Sequence, residues 1–114
     1  MKNIQVIYLS GPMSGIENLN FPEFNRIAQQ LRGLGHKVIN PAEVDQPVKE
    51  WSACMRNDIA ELMKADTLAL LKGWETSSGA GVEISIAAAL KMPIVDAYTL
   101  EPIELNVNVD IKSA

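Results

Sequence analysis

The side chain best placed to do chemistry is Glu83. It lies in the stretch GWETSSGAGVEISIAAAL, residues 73–90, among glycines, serines and small apolar residues. An apolar run, residues 67–71, precedes the stretch and reads as a buried strand, and an alanine-rich run that reads as a buried helix ends it. A strand, a Gly/Ser loop and a helix in that order let loop and helix N–H groups hold an anion or a polar ligand. A carboxylate near the start of such a helix has its charge favoured by the dipole and the free N–H groups. The expectation is an ionised Glu83, as a nucleophile requires. The plain alternative is a first-turn glutamate that answers only the dipole.

The elements that must hold Glu83 follow from periodicity. Residues 4–10 are β-branched and mostly apolar, and stop at Gly11-Pro12, a turn signal. This first strand feeds a second small loop, Gly11-Pro12-Met13-Ser14-Gly15. Asn20 is a candidate cap and Pro22 suits the start of a helix, in which Phe24, Ile27, Ala28, Leu31 and Leu34 share a face up to Gly35. Residues 37–40 read as a short strand, 41–50 as a connection, and 51–64 as a second helix. Residues 92–97 form a last strand after the alanine-rich helix at 79–91. The order β-α-β-α-β-α-β predicts an α/β single-domain, doubly wound parallel sheet of four or five strands, flavodoxin/Rossmann-like, with helices on both faces. Ligands of such sheets bind outside the carboxyl ends of the strands. The loops at 10–15 and 73–81 both lie at that edge. Residues 98–114 alternate weakly through Ile103, Leu105, Val107, Val109 and Ile111. They read as a fifth strand, as a tail that contacts a neighbour, or as a partly disordered end.

Composition narrows the function. A net charge of −4 and a pI near 4.9 offer no basic stripe for a nucleic-acid polymer. One cysteine, Cys54, and one histidine, His36, make no metal site at ligand spacing. No signal-peptide pattern and no run of 18 apolar residues is read, so the expectation is a cytoplasmic protein without a membrane partner. Trp74, in the loop, either stacks on a base or serves as a lid or interface. Asp66 reads as a cap at a strand entrance.

The motifs together resemble one superfamily. Tyr8-Leu9-Ser10-Gly11-Pro12-Met13, then Asn57-Asp58, then Ala65-Asp66 before a strand, then Ser77-Ser78-Gly79-Ala80-Gly81-Val82-Glu83 resemble the nucleoside 2-deoxyribosyltransferases and the related 2'-deoxynucleoside 5'-phosphate N-hydrolases. The nearest resemblance is to a small branch often carried by phages. What the resemblance implies is a domain over residues 1–97, with Glu83 as the nucleophile that attacks the sugar anomeric carbon. Asp58 would assist protonation of the leaving group, and Tyr8 would orient Glu83 or contact the sugar. Substrate contacts would come from Ser10, Gly11, Pro12, Met13, Ser14, Trp74, Ser77, Ser78, Gly79 and Gly81, the glycines leaving room for the sugar. The hydrolases carry a serine at the position of Ser77 where the transferases carry an aspartate, which points to a phosphorylated substrate. The chain departs from the hydrolases in having no arginine in these loops. The partner implied is a nucleoside or nucleotide, with no cofactor.

Three function classes are therefore open. The first is an enzyme that cleaves the N-glycosidic bond of a (deoxy)nucleoside or its 5'-monophosphate, by hydrolysis or by transfer to another base, with Glu83 facing an open cavity. The second is a non-catalytic nucleotide-binding sensor on the same fold. The third is an assembly protein with a closed cavity. The resembled families assemble, and the alanine-rich helix is apolar on nearly every side, so a homodimer or higher homo-oligomer is expected.

Overall fold

The computed structural model describes residues 4–105. Seven main elements follow the predicted order: β1 (Val6–Ser10), α1 (Phe21–Gly33), β2 (Lys37–Ile39), α2 (Trp51–Leu62), β3 (Thr67–Leu70), α3 (Ser78–Ala89) and β4 (Ile94–Asp96). Short 3-10 turns lie at Glu17–Asn20, Pro41–Glu43 and Trp74–Thr76. The four strands form one sheet in the order β2-β1-β3-β4. Every pair is parallel, with Ile7 opposite Val38 and Thr67, and Ala69 opposite Val95.

Strand alternation sorts the core into two layers. Ile7, Leu9, Val38, Ala69, Leu71 and Val95 meet Phe24, Ile27, Ala28 and Leu31 of α1. Tyr8, Leu68 and Leu70 face the other way, onto Leu62 of α2 and Ile84 and Ala87 of α3. β1 is central, so Tyr8 and Ser10 sit on the face covered by two helices and are sealed from water.

Local signals end the helices. Gly35 has φ of +98°, and its N–H donates to the carbonyl of Arg32 while that of His36 donates to Leu31. This paired closure needs the left-handed residue that glycine supplies. Asn20 occupies the cap position of α1 but does not cap it, since its backbone is left-handed. Its Nδ2 donates instead to the carbonyl of Pro12 at 3.0 Å.

Within the described part of the tail, residues 98–105, the expected fifth strand is one antiparallel bridge, Val95 with Pro102. The flanking bonds run from Asp96 N to Glu101 O and from Ile103 N to Ile94 O. In this pattern the N–H of residue 102 would point away from β4. Proline there removes a donor from the open edge, which suits an edge position. Ile103 and Leu105 pack onto the α2/α3 layer, while Val107, Val109 and Ile111 lie outside the described residues. No helix among the described residues is long and apolar enough to cross a membrane.

Two glycines make opposite predictions. A Cβ on Gly11 would meet the Cβ of Leu71 at 2.9 Å, whereas one on Gly81 meets nothing within 4 Å. Gly11→Ala is expected to destabilise by about 1–3 kcal/mol through overpacking. Gly81→Ala, on the open side of α3, is expected to stabilise by about 0.4–1 kcal/mol. Urea unfolding of the two variants checks both signs.

Candidate active site

The sheet-facing stripe of α3 is Ala80, Glu83, Ile84 and Ala87, the buried residues of that helix. Spacing of three and four along a helix puts these on one face, so Glu83 holds a place where an apolar residue is normal. It is only 5% exposed. β1 meets it with two hydroxyls two residues apart on the same strand face. Tyr8 OH donates to Glu83 Oε2 at 2.5 Å, and Ser10 Oγ donates to Oε1 at 2.6 Å. Among the described residues no buried side-chain nitrogen or oxygen lacks a partner.

This geometry corrects two expectations. Glu83 is the sixth residue of α3, past the first turn where the dipole acts. Burial wins: it pushes the carboxyl up to about 7, against the donors Ser10 and Tyr8, and the charge of Asp58 adds to the rise. In the single chain Glu83 is also nearly closed off, with the two hydroxyls of β1 on its carboxylate. The Tyr8 phenol is pushed above its ordinary range, by burial first and then by the charge of Glu83, and stays a donor.

Asp58 comes from α2, half-buried, within electrostatic reach of both Glu83 and Tyr8. Burial pushes it up to about 6, a hydrogen bond from Gln46 opposes this, and the charge of Glu61 adds to it. Gln46 Nε2 donates to Asp58 Oδ1 at 3.0 Å, and its Oε1 accepts from Asn57 Nδ2 at 2.9 Å. Gln46 lies in the connection before α2 and carries no sequence signal; only the fold brings it to Asp58. Glu83 and Asp58 thus form a pair of carboxyls that titrate near neutrality. One is held by two donors and the other by one.

The remaining residues divide between structure and surface. Ser77 caps α3, its Oγ accepting from Ala80 N at 3.1 Å, and it reaches the Gly11 carbonyl at 3.5 Å. Gly11 lies against Leu71, and a Cβ on Gly73 would meet Pro12 Cγ at 3.1 Å. The loops after β1 and β3 are therefore keyed together. Gly79 faces Met55 Sδ, 3.3 Å from where its Cβ would be. Met13 packs on the α1 layer and Trp74 on the layer that contains Tyr8. Ser14, Ser78 and Gly81 are exposed at or near this edge. Asp66 Oδ2 accepts from Val6 N at 2.9 Å, at the opposite end of β1. No group of three His, Cys, Asp or Glu suited to a metal ion occurs among the described residues.

The buried carboxyl sets a pH signature. Glu83 is raised in the fold from 4.5 to about 7, so its contribution to stability is whole below about 4.5 and is lost as pH rises through about 7. The loss is on the order of 3 kcal/mol. The ion pairs of Glu23 with Arg26 and Glu43 with Arg32 hold those carboxyls below their ordinary range. Their contributions are lost only at lower pH, so the two windows separate. Urea unfolding is expected to show stability falling between pH 4.5 and 7.5, and Glu83→Gln to flatten that fall.

Comparison with known proteins agrees with this architecture. One solved structure with a similar fold is the 2-deoxyribosyltransferase of the psychrotolerant bacterium Bacillus psychrosaccharolyticus. The match has a TM-score of 0.61 and 27% identity, over 79% of this chain and 69% of that one. It supports the superfamily indicated by the motifs. No curated protein sequence matches. The family model that matches is described as a domain of unknown function (DUF4406), and it spans residues 5–96. With most of its length inside that match, the chain belongs to the DUF4406 family.

Proposed function

We propose that the chain cleaves the N-glycosidic bond of a nucleoside or nucleoside 5'-monophosphate, with Glu83 as nucleophile and Asp58 as acid. The observation that carries this reading is Glu83 itself, a carboxylate on the core stripe of α3 with a hydroxyl donor on each oxygen. The likeness to a 2-deoxyribosyltransferase supports the chemistry. In the first step an oxygen of Glu83 bonds to C1' and the C1'–N bond breaks. Its electron pair goes to the base, which takes the proton of Asp58. In the second step water, or a second base, bonds to C1' and gives its proton to Asp58, while the Glu83 ester bond returns its pair to the carboxylate. Tyr8 and Ser10 stabilise the charge that Glu83 regains.

Substrate preference follows from which groups are free. The expectation of a phosphorylated substrate rests on Ser77, whose hydroxyl is already engaged by Ala80 N and the Gly11 carbonyl. A nucleoside with a free 5'-hydroxyl is therefore the first substrate to test. α3 leaves Ser78, Gly81 and Ser85 exposed in the single chain, and Leu90, which follows it, is exposed as well. A second copy covering that side is the assembly this reading predicts, and light scattering is expected to give at least a dimer.

The near closure over Glu83 favours a second reading, an assembly protein in which the carboxylate is only structural. Free-base release separates the two. Purified protein incubated with ribo- and deoxynucleosides and their 5'-monophosphates is expected to release base. Asp58→Asn is expected to lower the rate by about 10²–10⁴, and Glu83→Ala to abolish it. Product that requires a second added base means transfer; product without one means hydrolysis. No release from any substrate rejects the enzyme reading.

A further inference from the structure

We infer that Ser10 is a positioning residue that favours the anionic form of Glu83 when substrate binds. The inference rests on the glycosidic-cleavage reading. That reading requires Glu83 as the anion and the proton on Asp58.

A serine at this place needs a reason. Position 10 is 1% exposed at the end of the central strand, with Leu9, Leu70 and Leu71 buried around it. Parallel strands covered on both faces favour apolar side chains. Among the described residues the hydroxyl has one side-chain partner, Glu83 Oε1 at 2.6 Å. Tyr8 holds the other oxygen. Both hydroxyls favour the anion, because a donor bonds a charged carboxylate oxygen more strongly than a neutral one. Without Ser10, Oε1 would lose its side-chain donor.

Asp58 has the opposite arrangement. Gln46 donates to Oδ1, and among the described residues Oδ2 has no hydrogen-bond partner. That oxygen is open to a proton. Burial alone would favour the wrong assignment, because Glu83 is the more buried of the two. Burial is the largest influence on Glu83, and the bond from Ser10 is the largest acting against it; with that bond in place Glu83 stands at about 7 and Asp58 at about 6, so losing Ser10 would carry Glu83 further from the charged form. The other ionisable groups bearing on the pair are Tyr8 from β1 and Glu61 from α2, the latter paired with Lys64. Neither donates to Oε1. The asymmetry between two donors on one carboxyl and one on the other is thus set by Ser10.

The test uses the full chain with a nucleoside that the parent cleaves, and measures kcat/KM from pH 4.5 to 9. Ser10→Ala is expected to move the acid limb up by about one pH unit, the effect of losing a hydrogen bond to a charged group. The rate then falls about tenfold at pH 6 and less than about threefold above the limb. Ser10→Thr, which keeps the hydroxyl, is expected to restore the limb. Ser10→Cys, close in size but a weak donor, serves if the alanine variant does not fold. A second readout needs no turnover. Carbon-13 NMR of labelled glutamate side chains is expected to place the Glu83 midpoint higher in Ser10→Ala than in the parent. An equal rate loss at every pH with unchanged midpoints would show that Ser10 only fills space, and would overturn the inference. A parent that releases no base would reject the cleavage reading instead, and the NMR midpoints would still decide what Ser10 does to Glu83.

Discussion

The burial of one carboxylate governs the design of this fold. Taking Glu83 out of water disfavours its charge, and hydrogen bonds are the only local compensation. Both bonds come from a single strand, so α3 must lie at one height along β1 and close to it. The sequence of α3 meets that demand with small residues. Ala80 and Ala87 flank Glu83 on the sheet side, and Gly79 lets α2 approach through Met55. The cap from Ser77 sets where the helix starts, and so where its sixth residue falls. The alanine content of this helix follows from close approach rather than from helix propensity.

Much of this was legible from spacing alone. Four apolar strand-like runs separated by helical periods dictate a parallel sheet, since hairpins cannot join parallel neighbours. Gly35 marked the end of α1. Glu83 stood out because it is the one charged residue between Gly79 and Leu90. Element ends moved by one or two residues, as fraying and cap geometry allow.

What stayed hidden depends on contacts between distant segments. A helix-start glutamate reads as dipole-stabilised, and only the packed structure shows that burial outweighs the dipole. Ser10 looked like a loop-edge substrate contact, whereas strand alternation turns its hydroxyl onto Glu83. Ser77 looked free for a ligand and is spent on the cap. Gln46 sits in a proline-containing connection whose path no period predicts. The stretch after β4 read as a strand or a tail, and its described part, residues 98–105, makes one bridge to β4 with Pro102 turned to the open edge.

The interlocked loops carry a consequence for how such a scaffold can vary. Gly11 rests on Leu71, Pro12 on Gly73, and Ser77 reaches back to Gly11. A bulkier residue or an insertion on one side has no room unless the other side changes with it. Compensated double changes are the route open to these two segments, and single ones are closed. The connection that carries Gln46 has no comparable glycine lock. New ligand preferences in a lineage built on this frame would therefore arise first in residues 41–50, with the carboxylate and its two hydroxyls left in place.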